Sequence, residues 1–259
     1  MSGRVQGLRP PGPFLLALEG RAPWELGATL ASWPMLRRVT RGDGHSVVVF
    51  PGLGAPDLTT LPLRTFLMDR GYDPHGWNLR FNFGPRKGVL ERSLEHVRRL
   101  RRASGRKVSL VGWSLGGVFA REIAKRLPQD VRCVVTLGSP FTGHPKANNA
   151  WRFYEMVSGH RLDDDVAVAR VRGTPPVPTT SIFSRTDGIV AWQCCLQPQE
   201  RRAESIEVQA SHLGIGMHPA AWFAVADRLR QPEGRWRRFH REGWRQWVYG
   251  DPYRGENRG

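Results

Sequence analysis

The sequence predicts an α/β fold built on a doubly wound, mostly parallel β-sheet. Short apolar runs rich in β-branched residues recur along the chain, and each is followed by a glycine or a polar turn. Segments of about ten to fifteen residues with helical periodicity lie between these runs, as expected for βαβ units. The chain has 259 residues, of which 40% are hydrophobic, so it can form one such domain with an inserted cap.

The predicted strands are short and largely apolar, a pattern typical of strands buried on both faces. They cover residues 47–50, 108–111, 133–137, 180–183 and 205–208. The predicted helices carry apolar residues at intervals of three and four positions. They cover residues 58–70, 91–102, 115–127 and 219–229, and a helical stretch over 22–38 is broken at Pro34. Residues 1–20 are rich in glycine and proline and are expected to be largely irregular.

Composition and the length of one connection divide the chain into parts. Residues 1–40 form an N-terminal extension, irregular or helical, and residues 41–230 form the α/β domain. Residues 231–259 form a basic, aromatic C-terminal tail. The connection between the third and fourth predicted strands is much longer than the loops of compact domains. We therefore expect a helical cap or lid at about residues 141–178.

The formal net charge of +16 would suit an anionic partner such as a nucleic acid or a membrane surface. The basic residues are spread along the chain, with a local excess only over residues 86–107 and 228–258, so we do not expect nucleic-acid binding. Residues 235–247 of the tail interleave arginines with aromatic residues. That segment would either lie on an anionic membrane or pack its rings against the domain, and the sequence leaves both open.

No segment has the roughly 20 consecutive apolar residues of a membrane span. The apolar run from Phe14 to Leu18 ends at Glu19, which is too short for a signal peptide, so a cytoplasmic location is expected. The adjacent Cys194 and Cys195 do not have the spacing of a zinc site. The sequence also lacks a glycine-rich phosphate loop, so we expect neither a metal nor a cofactor.

A Gly-Trp-Ser-Leu-Gly segment at residues 112–116 is the strongest indication of chemistry. It lies directly after a predicted strand and directly before a predicted helix. That setting is typical of a nucleophile elbow, in which a serine is held in a strained backbone conformation between small neighbours. Ser114 is therefore the candidate nucleophile. The alternative is a serine in an ordinary tight turn.

A serine nucleophile needs a histidine base, which in this class of fold follows it along the chain. The histidines between Ser114 and the tail are His144, His160, His212 and His218. We favour His212 because it follows the last predicted strand, and the glycines after it would suit a mobile imidazole. His218 is the competitor, but it precedes Pro219 and has the position of a helix-entry residue.

The base in turn needs an orienting carboxylate. Asp187 follows the strand predicted at 180–183, at the carboxyl end of the sheet, where catalytic groups collect in doubly wound folds. Asp163, Asp164 and Asp165 are rivals. Three neighbouring charges inside the expected cap are, however, more typical of a solvated face or a helix cap.

An oxyanion hole needs two backbone N–H donors. One is expected from Leu115, the residue after the nucleophile. The other is expected from Leu53, in the Pro-Gly-Leu-Gly turn that follows the first predicted strand. The alternative for this turn is a purely structural role, and the two roles are compatible.

Together these segments resemble the α/β-hydrolase superfamily, within its bacterial lipase- and esterase-like group. The matching segments are Val-Phe-Pro-Gly-Leu-Gly at 49–54, Gly-Trp-Ser-Leu-Gly-Gly at 112–117, Leu-Gly-Ser-Pro-Phe at 137–141, Ser-Arg-Thr-Asp-Gly-Ile-Val at 184–190 and Ser-His-Leu-Gly at 211–214. The resemblance implies Ser114 as nucleophile, His212 as base and Asp187 as orienting acid. It implies the amides of Leu53 and Leu115 as oxyanion donors. Pro51 departs from the family pattern, in which a histidine often precedes this glycine.

The expected activity is hydrolysis of a small-molecule or lipid carboxylic ester through an acyl-serine. Acyl transfer on the same scaffold is an alternative, and so is a catalytically silent basic module that binds a membrane or a nucleic acid. Trp113, Trp151 and Trp192 are candidates to line the substrate pocket. Each would otherwise serve as an ordinary packing residue.

Overall fold

The computed structural model describes residues 8–142, 147–158 and 173–254, and this part of the chain contains one six-stranded sheet. The strands are β1 (Ser46–Phe50), β2 (Asp73–Gly76), β3 (Val108–Trp113), β4 (Val131–Leu137), β5 (Thr179–Phe183) and β6 (Ala203–Glu207). They lie in the order β2-β1-β3-β4-β5-β6, and every neighbouring pair is parallel. All the predicted strands are present, and the predicted fold class is confirmed.

β2 was not predicted from the sequence. Its Asp-Pro-His-Gly sequence has no apolar run and contains Pro74, which has no N–H group to donate to a sheet. The strand lies at the edge of the sheet, where Pro74 pairs opposite Val47. Only one side of an edge strand needs hydrogen bonds, so proline is tolerated there although it counts against a strand in local sequence patterns.

Helices cover both faces of the sheet, as a doubly wound fold requires. They are α1 (Pro13–Ala17), α2 (Ala22–Ala31), α3 (Trp33–Leu36), α4 (Leu61–Asp69), α5 (Val89–Ser104), α6 (Leu115–Arg126), α7 (Trp151–Ser158), α8 (Pro219–Leu229) and α9 (Arg245–Val248). Residues of α4 and α8 pack with Val47 and Val49, whereas residues of α5 and α6 pack with Val48 and Phe50. Alternate side chains of β1 thus enter different cores, which explains its unbroken apolar sequence.

The N-terminal extension is helical over much of its described length. A 3-10 helix at Leu18–Arg21 follows α1, where the sequence favoured an irregular segment. The next helical stretch is interrupted, but at residue 32 rather than at Pro34, because α2 ends at Ala31 and α3 begins at Trp33. Pro34 lies in the first turn of α3, where its missing N–H costs no helical hydrogen bond.

The expected cap is described only in part. Residues 151–158 form α7, as expected for a helical insertion, but residues 143–146 and 159–172 lie outside the described residues. His144, His160 and the aspartates Asp163, Asp164 and Asp165 fall within those two ranges. A lid role for residues 141–178 therefore stays a prediction.

Part of the C-terminal tail packs against α8. Tyr249 is only 1% exposed, and its hydroxyl donates a 2.9 Å hydrogen bond to the carbonyl of Ala220. The ring centroid of Phe239 lies 4.7 Å from that of Tyr249, whereas Trp247 is 85% exposed. Membrane contact by the tail stays a prediction. In the described ranges, no helix is long and apolar enough to span a membrane.

Candidate active site

Ser114 occupies the sharp turn between β3 and α6, at the carboxyl edge of the sheet. Its backbone has φ 52° and ψ −122°, a conformation that is costly for any residue other than glycine. The turn is tightly packed. A Cβ on Gly112 would lie 2.4 Å from the carbonyl oxygen of Gly116, and one on Gly116 would lie 2.4 Å from that of Phe50. These contacts explain why small residues surround the serine.

Replacing Ser114 with glycine should remove the hydroxyl and relieve backbone strain at the same time. Glycine reaches positive φ without a Cβ clash, whereas alanine retains the strain that serine bears. We expect the free energy of unfolding of Ser114→Gly to exceed that of Ser114→Ala by about 1 kcal/mol, measured by urea denaturation. A glycine variant that is the less stable of the two would contradict the strained turn.

His212 and Asp187 lie beside Ser114 at the same edge of the sheet. The imidazole Nε2 of His212 is 2.9 Å from Ser114 Oγ, and its Nδ1 is 2.7 Å from Asp187 Oδ2. Asp187 Oδ1 accepts hydrogen bonds from the N–H groups of Ile189 at 2.9 Å and Val190 at 2.7 Å. These two bonds to Oδ1 hold the carboxylate with Oδ2 aimed at the imidazole. Asp187 and His212 are both buried.

Opposing effects set the pKa of His212. Burial lowers this pKa because the imidazolium loses solvation, whereas the charge of Asp187, the hydrogen bond to Asp187 and the charge of Glu19 raise it. The net result is a pKa raised above the ordinary histidine value. A proton taken from Ser114 would therefore arrive at an imidazole whose charged form is stabilised.

His218 has a structural partner instead. Its Nδ1 accepts a 3.2 Å hydrogen bond from the N–H of Ala220, so the side chain caps the first turn of α8. This is the helix-entry position that the neighbouring Pro219 indicated. Of the two histidines at the end of the sheet, the structure brings His212 to Ser114.

The turn that carries Leu53 lies beside the elbow, since a Cβ on Gly52 would lie 3.5 Å from Ser114 Cβ, and the role of Leu53 and Leu115 as oxyanion donors stays a prediction. Neither Leu53 nor Leu115 donates a backbone hydrogen bond to any described part of the chain. The turn that carries Leu53 is braced by Asn82, which is fully buried. The Asn82 side-chain amide donates to the carbonyl of Pro51 at 2.7 Å, and the Asn82 backbone carbonyl accepts from the N–H of Gly54 at 2.7 Å. Asn82 thus supports the turn in which the family often has a histidine.

Comparisons with known proteins agree with this architecture. Residues 70–173 match the family described as alpha/beta hydrolase fold. Lipase B of Aspergillus fumigatus superposes with a TM-score of 0.57 at 18% identity, over 76% of this chain and 57% of that chain. The chain has the α/β-hydrolase fold. The mature lipase BlEst2 of Bacillus licheniformis also superposes, with a TM-score of 0.53 at 16% identity, over 72% of this chain and 93% of that chain.

These similarities concern the α/β-hydrolase fold alone, because one such fold supports many activities. This chain spans little more than half of the A. fumigatus lipase, with 57% of it covered. No curated protein sequence matches it.

Within this α/β-hydrolase fold, Trp113 braces the loop that carries His212. Its indole Nε1 donates a 3.0 Å hydrogen bond to the carbonyl of His212, and a Cβ on Gly216 would lie 3.2 Å from its ring. Gly214 and Gly216 are buried, and a Cβ on Gly214 would lie 1.5 Å from the carboxylate of Glu25. These glycines therefore permit close packing, and the expectation that they make the imidazole mobile stays a prediction.

The other candidate pocket tryptophans also have packing contacts. Trp192 stacks on Phe183 with ring centroids 5.9 Å apart, and the guanidinium of Arg185 lies 3.8 Å from its ring centroid. Trp151 is half-buried at the start of α7. Contact with a substrate by Trp113, Trp151 or Trp192 stays a prediction.

A second Asp–His–Ser chain lies at the opposite, amino end of β3. The imidazole Nδ1 of His45 is 2.5 Å from Asp43 Oδ1, and its Nε2 is 2.7 Å from Ser109 Oγ. His45 and Ser109 have no exposed surface, and Ser109 lies within β3, next to a register shift in its pairing with β4, rather than in a strained turn. Since a substrate could not reach Ser109, we interpret the hydrogen bonds among Asp43, His45 and Ser109 as structural.

Two buried glutamates beside the site were not predicted from the sequence. Glu19 reaches the loop of Asp187 from 169 positions away, and Glu25 reaches the loop of His212 from 186 positions away. Contacts this distant leave almost no trace in local sequence patterns. The one available signal is that Glu19 interrupts the apolar run that begins at Phe14.

Proposed function

We propose that this chain is a serine hydrolase that cleaves carboxylic esters through an acyl-serine intermediate. The observation that carries the proposal is the chain of contacts from Asp187 through His212 to Ser114 Oγ, at 2.7 and 2.9 Å. A general base must lie within hydrogen-bonding distance of the proton that it removes, and these distances meet that requirement. The two lipases of similar fold support an ester as the substrate class.

Acylation begins with attack of Ser114 Oγ on the ester carbonyl carbon while His212 Nε2 takes the hydroxyl proton. Asp187 holds the imidazole in the correct tautomer and stabilises the imidazolium. The N–H groups of Leu53 and Leu115 donate to the oxyanion of the tetrahedral intermediate. When that intermediate collapses, His212 returns the proton to the departing alcohol, and the acyl group remains on Ser114.

Deacylation repeats these steps with water as the nucleophile. His212 removes a proton from water as it attacks the acyl-serine, and the carboxylic acid leaves as Ser114 regains its proton. An alcohol or amine in place of water would make the same enzyme an acyltransferase. Every step uses side chains and amides of this chain.

A panel of p-nitrophenyl esters of graded acyl length tests the proposal. The wild type should release p-nitrophenol and an equal amount of acid, and the Ser114→Ala variant should not. Adding an alcohol distinguishes transfer, since p-nitrophenol would then exceed the acid formed. If the folded wild type hydrolyses none of the esters, the hydrolase proposal fails and the silent binding module is favoured.

The pH dependence of the reaction should follow His212. A general base must be neutral, so kcat/KM should increase as the pH rises through the pKa of this imidazole. Because that pKa is raised, we expect the half-maximal rate above the ordinary histidine value of 6.5. Ester hydrolysis in a pH-stat from about pH 5 to about pH 9 measures it. A rate that is flat across this range would contradict a histidine base.

A further inference from the structure

Glu19 joins the two loops that carry Asp187 and His212. Its Oε1 accepts hydrogen bonds from the N–H groups of Gly188 at 2.7 Å and His212 at 2.9 Å, and its Oε2 accepts one from Leu213 at 2.8 Å. Gly188 directly follows Asp187, so one carboxylate binds the backbone on both sides of the Asp187–His212 hydrogen bond. Glu19 is 6% exposed, and water therefore competes little for these bonds.

Glu25 and its partner Arg21 bind the same two loops at the residues that directly precede His212 and Asp187. Glu25 accepts hydrogen bonds from the N–H of Ser211 at 2.7 Å and from its hydroxyl at 2.5 Å. Arg21 pairs with Glu25 at 3.0 Å and also donates to the hydroxyl of Thr186 at 2.6 Å. Ser211 directly precedes His212 and Thr186 directly precedes Asp187. The residues before both catalytic candidates are thus tied to one helical segment.

Two glycines leave room for this segment. A Cβ on Gly188 would lie 2.1 Å from the carbonyl oxygen of Leu15, and a Cβ on Gly214 would lie 1.5 Å from Glu25 Oε2. Neither glycine has a positive φ, so close approach is the reason for glycine here rather than backbone freedom. The absence of a side chain at Gly188 and Gly214 lets the loops that carry Asp187 and His212 pack directly against the N-terminal segment.

The charges around His212 come from three elements. Asp187 follows β5, Glu19 lies in the 3-10 helix after α1, and the Arg21–Glu25 pair lies behind Ser211. Of these groups, Asp187 and Glu19 raise the pKa of His212 against the lowering effect of burial. Glu19 therefore has both a geometric and an electrostatic effect on the imidazole.

We propose that Glu19 and Glu25, termed here the glutamate clamp, are positioning residues of the hydrolase. The inference rests on the proposed function, since it concerns the alignment of His212 between Asp187 and Ser114. The clamp holds the backbone of both loops, and Glu19 also favours the imidazolium that forms during catalysis. The N-terminal extension is then part of the active-site framework rather than an appendage.

The test is the rate at which a fluorophosphonate labels Ser114, measured across pH in the wild type, Glu19→Gln and Glu19→Asp. The glutamine variant keeps the shape but loses the charge and one acceptor. Its plateau rate should fall about 100-fold, as expected for a small misplacement of catalytic groups, and its pH midpoint should move lower. The aspartate variant keeps the charge with a shorter reach. Its plateau should fall similarly while its midpoint stays near that of the wild type.

The matched control is Glu95→Gln, which removes one exposed carboxylate from α5 and should label as the wild type does. With p-nitrophenyl esters, Glu19→Gln should lose kcat while KM stays within about threefold. If the wild type is not labelled at all, the proposed function fails, whatever the variants do. If the wild type is labelled and Glu19→Gln matches its rate and midpoint, the clamp is refuted.

A second variant covers the case in which Glu19→Gln does not fold, as judged by circular dichroism. Glu25→Gln retains the charge of Glu19 and disturbs only the bonds to Ser211 and Arg21. It should show a lower plateau with an unchanged pH midpoint. A folded Glu25→Gln that labels at the wild-type rate would then refute the clamp.

Discussion

Replacing Ser114 with alanine is expected to lower kcat for ester hydrolysis by roughly 10⁴- to 10⁶-fold, because the members of a triad act as a unit. The fold should be retained, since alanine keeps the Cβ and differs only in the lost hydroxyl. The hydroxyl contacts His212 at 2.9 Å, and no backbone group depends on it for a hydrogen bond in the described structure. Steady-state kinetics and far-ultraviolet circular dichroism of the purified variant measure both effects.

Ser109→Ala is the matched control for this variant. Ser109 also contacts a histidine that pairs with an aspartate, but it is buried within β3. We expect near wild-type activity and a loss of about 1–3 kcal/mol in the free energy of unfolding, because the buried Nε2 of His45 would lose its hydrogen-bond partner. A large loss of activity in folded Ser109→Ala, with Ser114→Ala active, would reverse the assignment.

The second large effect is expected at His212. His212→Ala should lose nearly as much kcat as Ser114→Ala, and the double variant should lose little more, because both residues act on one step. His218→Ala should lose less than tenfold, equivalent to about 1.4 kcal/mol in the barrier. It should also lose about 1 kcal/mol of stability, because His218 caps α8.

The histidine variants are compared by the same ester assay and by urea denaturation. Full activity in His212→Ala together with an inactive, folded His218→Ala would contradict the base assignment. Asp187 would then have to be tested again beside Asp163, Asp164 and Asp165.

The elements that the sequence predicted well have strong local signals. The buried strands have continuous apolar runs, and the elbow has small residues on both sides of Ser114. The order of Ser114, Asp187 and His212 follows from strand ends that meet at one edge of a parallel sheet. Local patterns were therefore sufficient to nominate those three residues, although their activity stays a prediction.

The remaining parts of the site depend on contacts between distant segments. β2 carries a proline at the sheet edge, so its strand character comes from pairing with β1 and not from its own sequence. Glu19 and Glu25 bind loops far along the chain, and an acid in a short helix looks locally like a surface residue. Gly214 has the appearance of a flexible residue, and only the nearby Glu25 reveals that it provides space.

The central claim is that Ser114 carries the acyl group in a covalent acyl-serine intermediate. Mass spectrometry of the protein quenched in acid during turnover of p-nitrophenyl butyrate tests it most directly. We predict a butyryl adduct on the peptide that contains Ser114, formed in the wild type and absent from Ser114→Ala. An adduct on another residue, or steady hydrolysis by Ser114→Ala at the wild-type rate, would contradict the account.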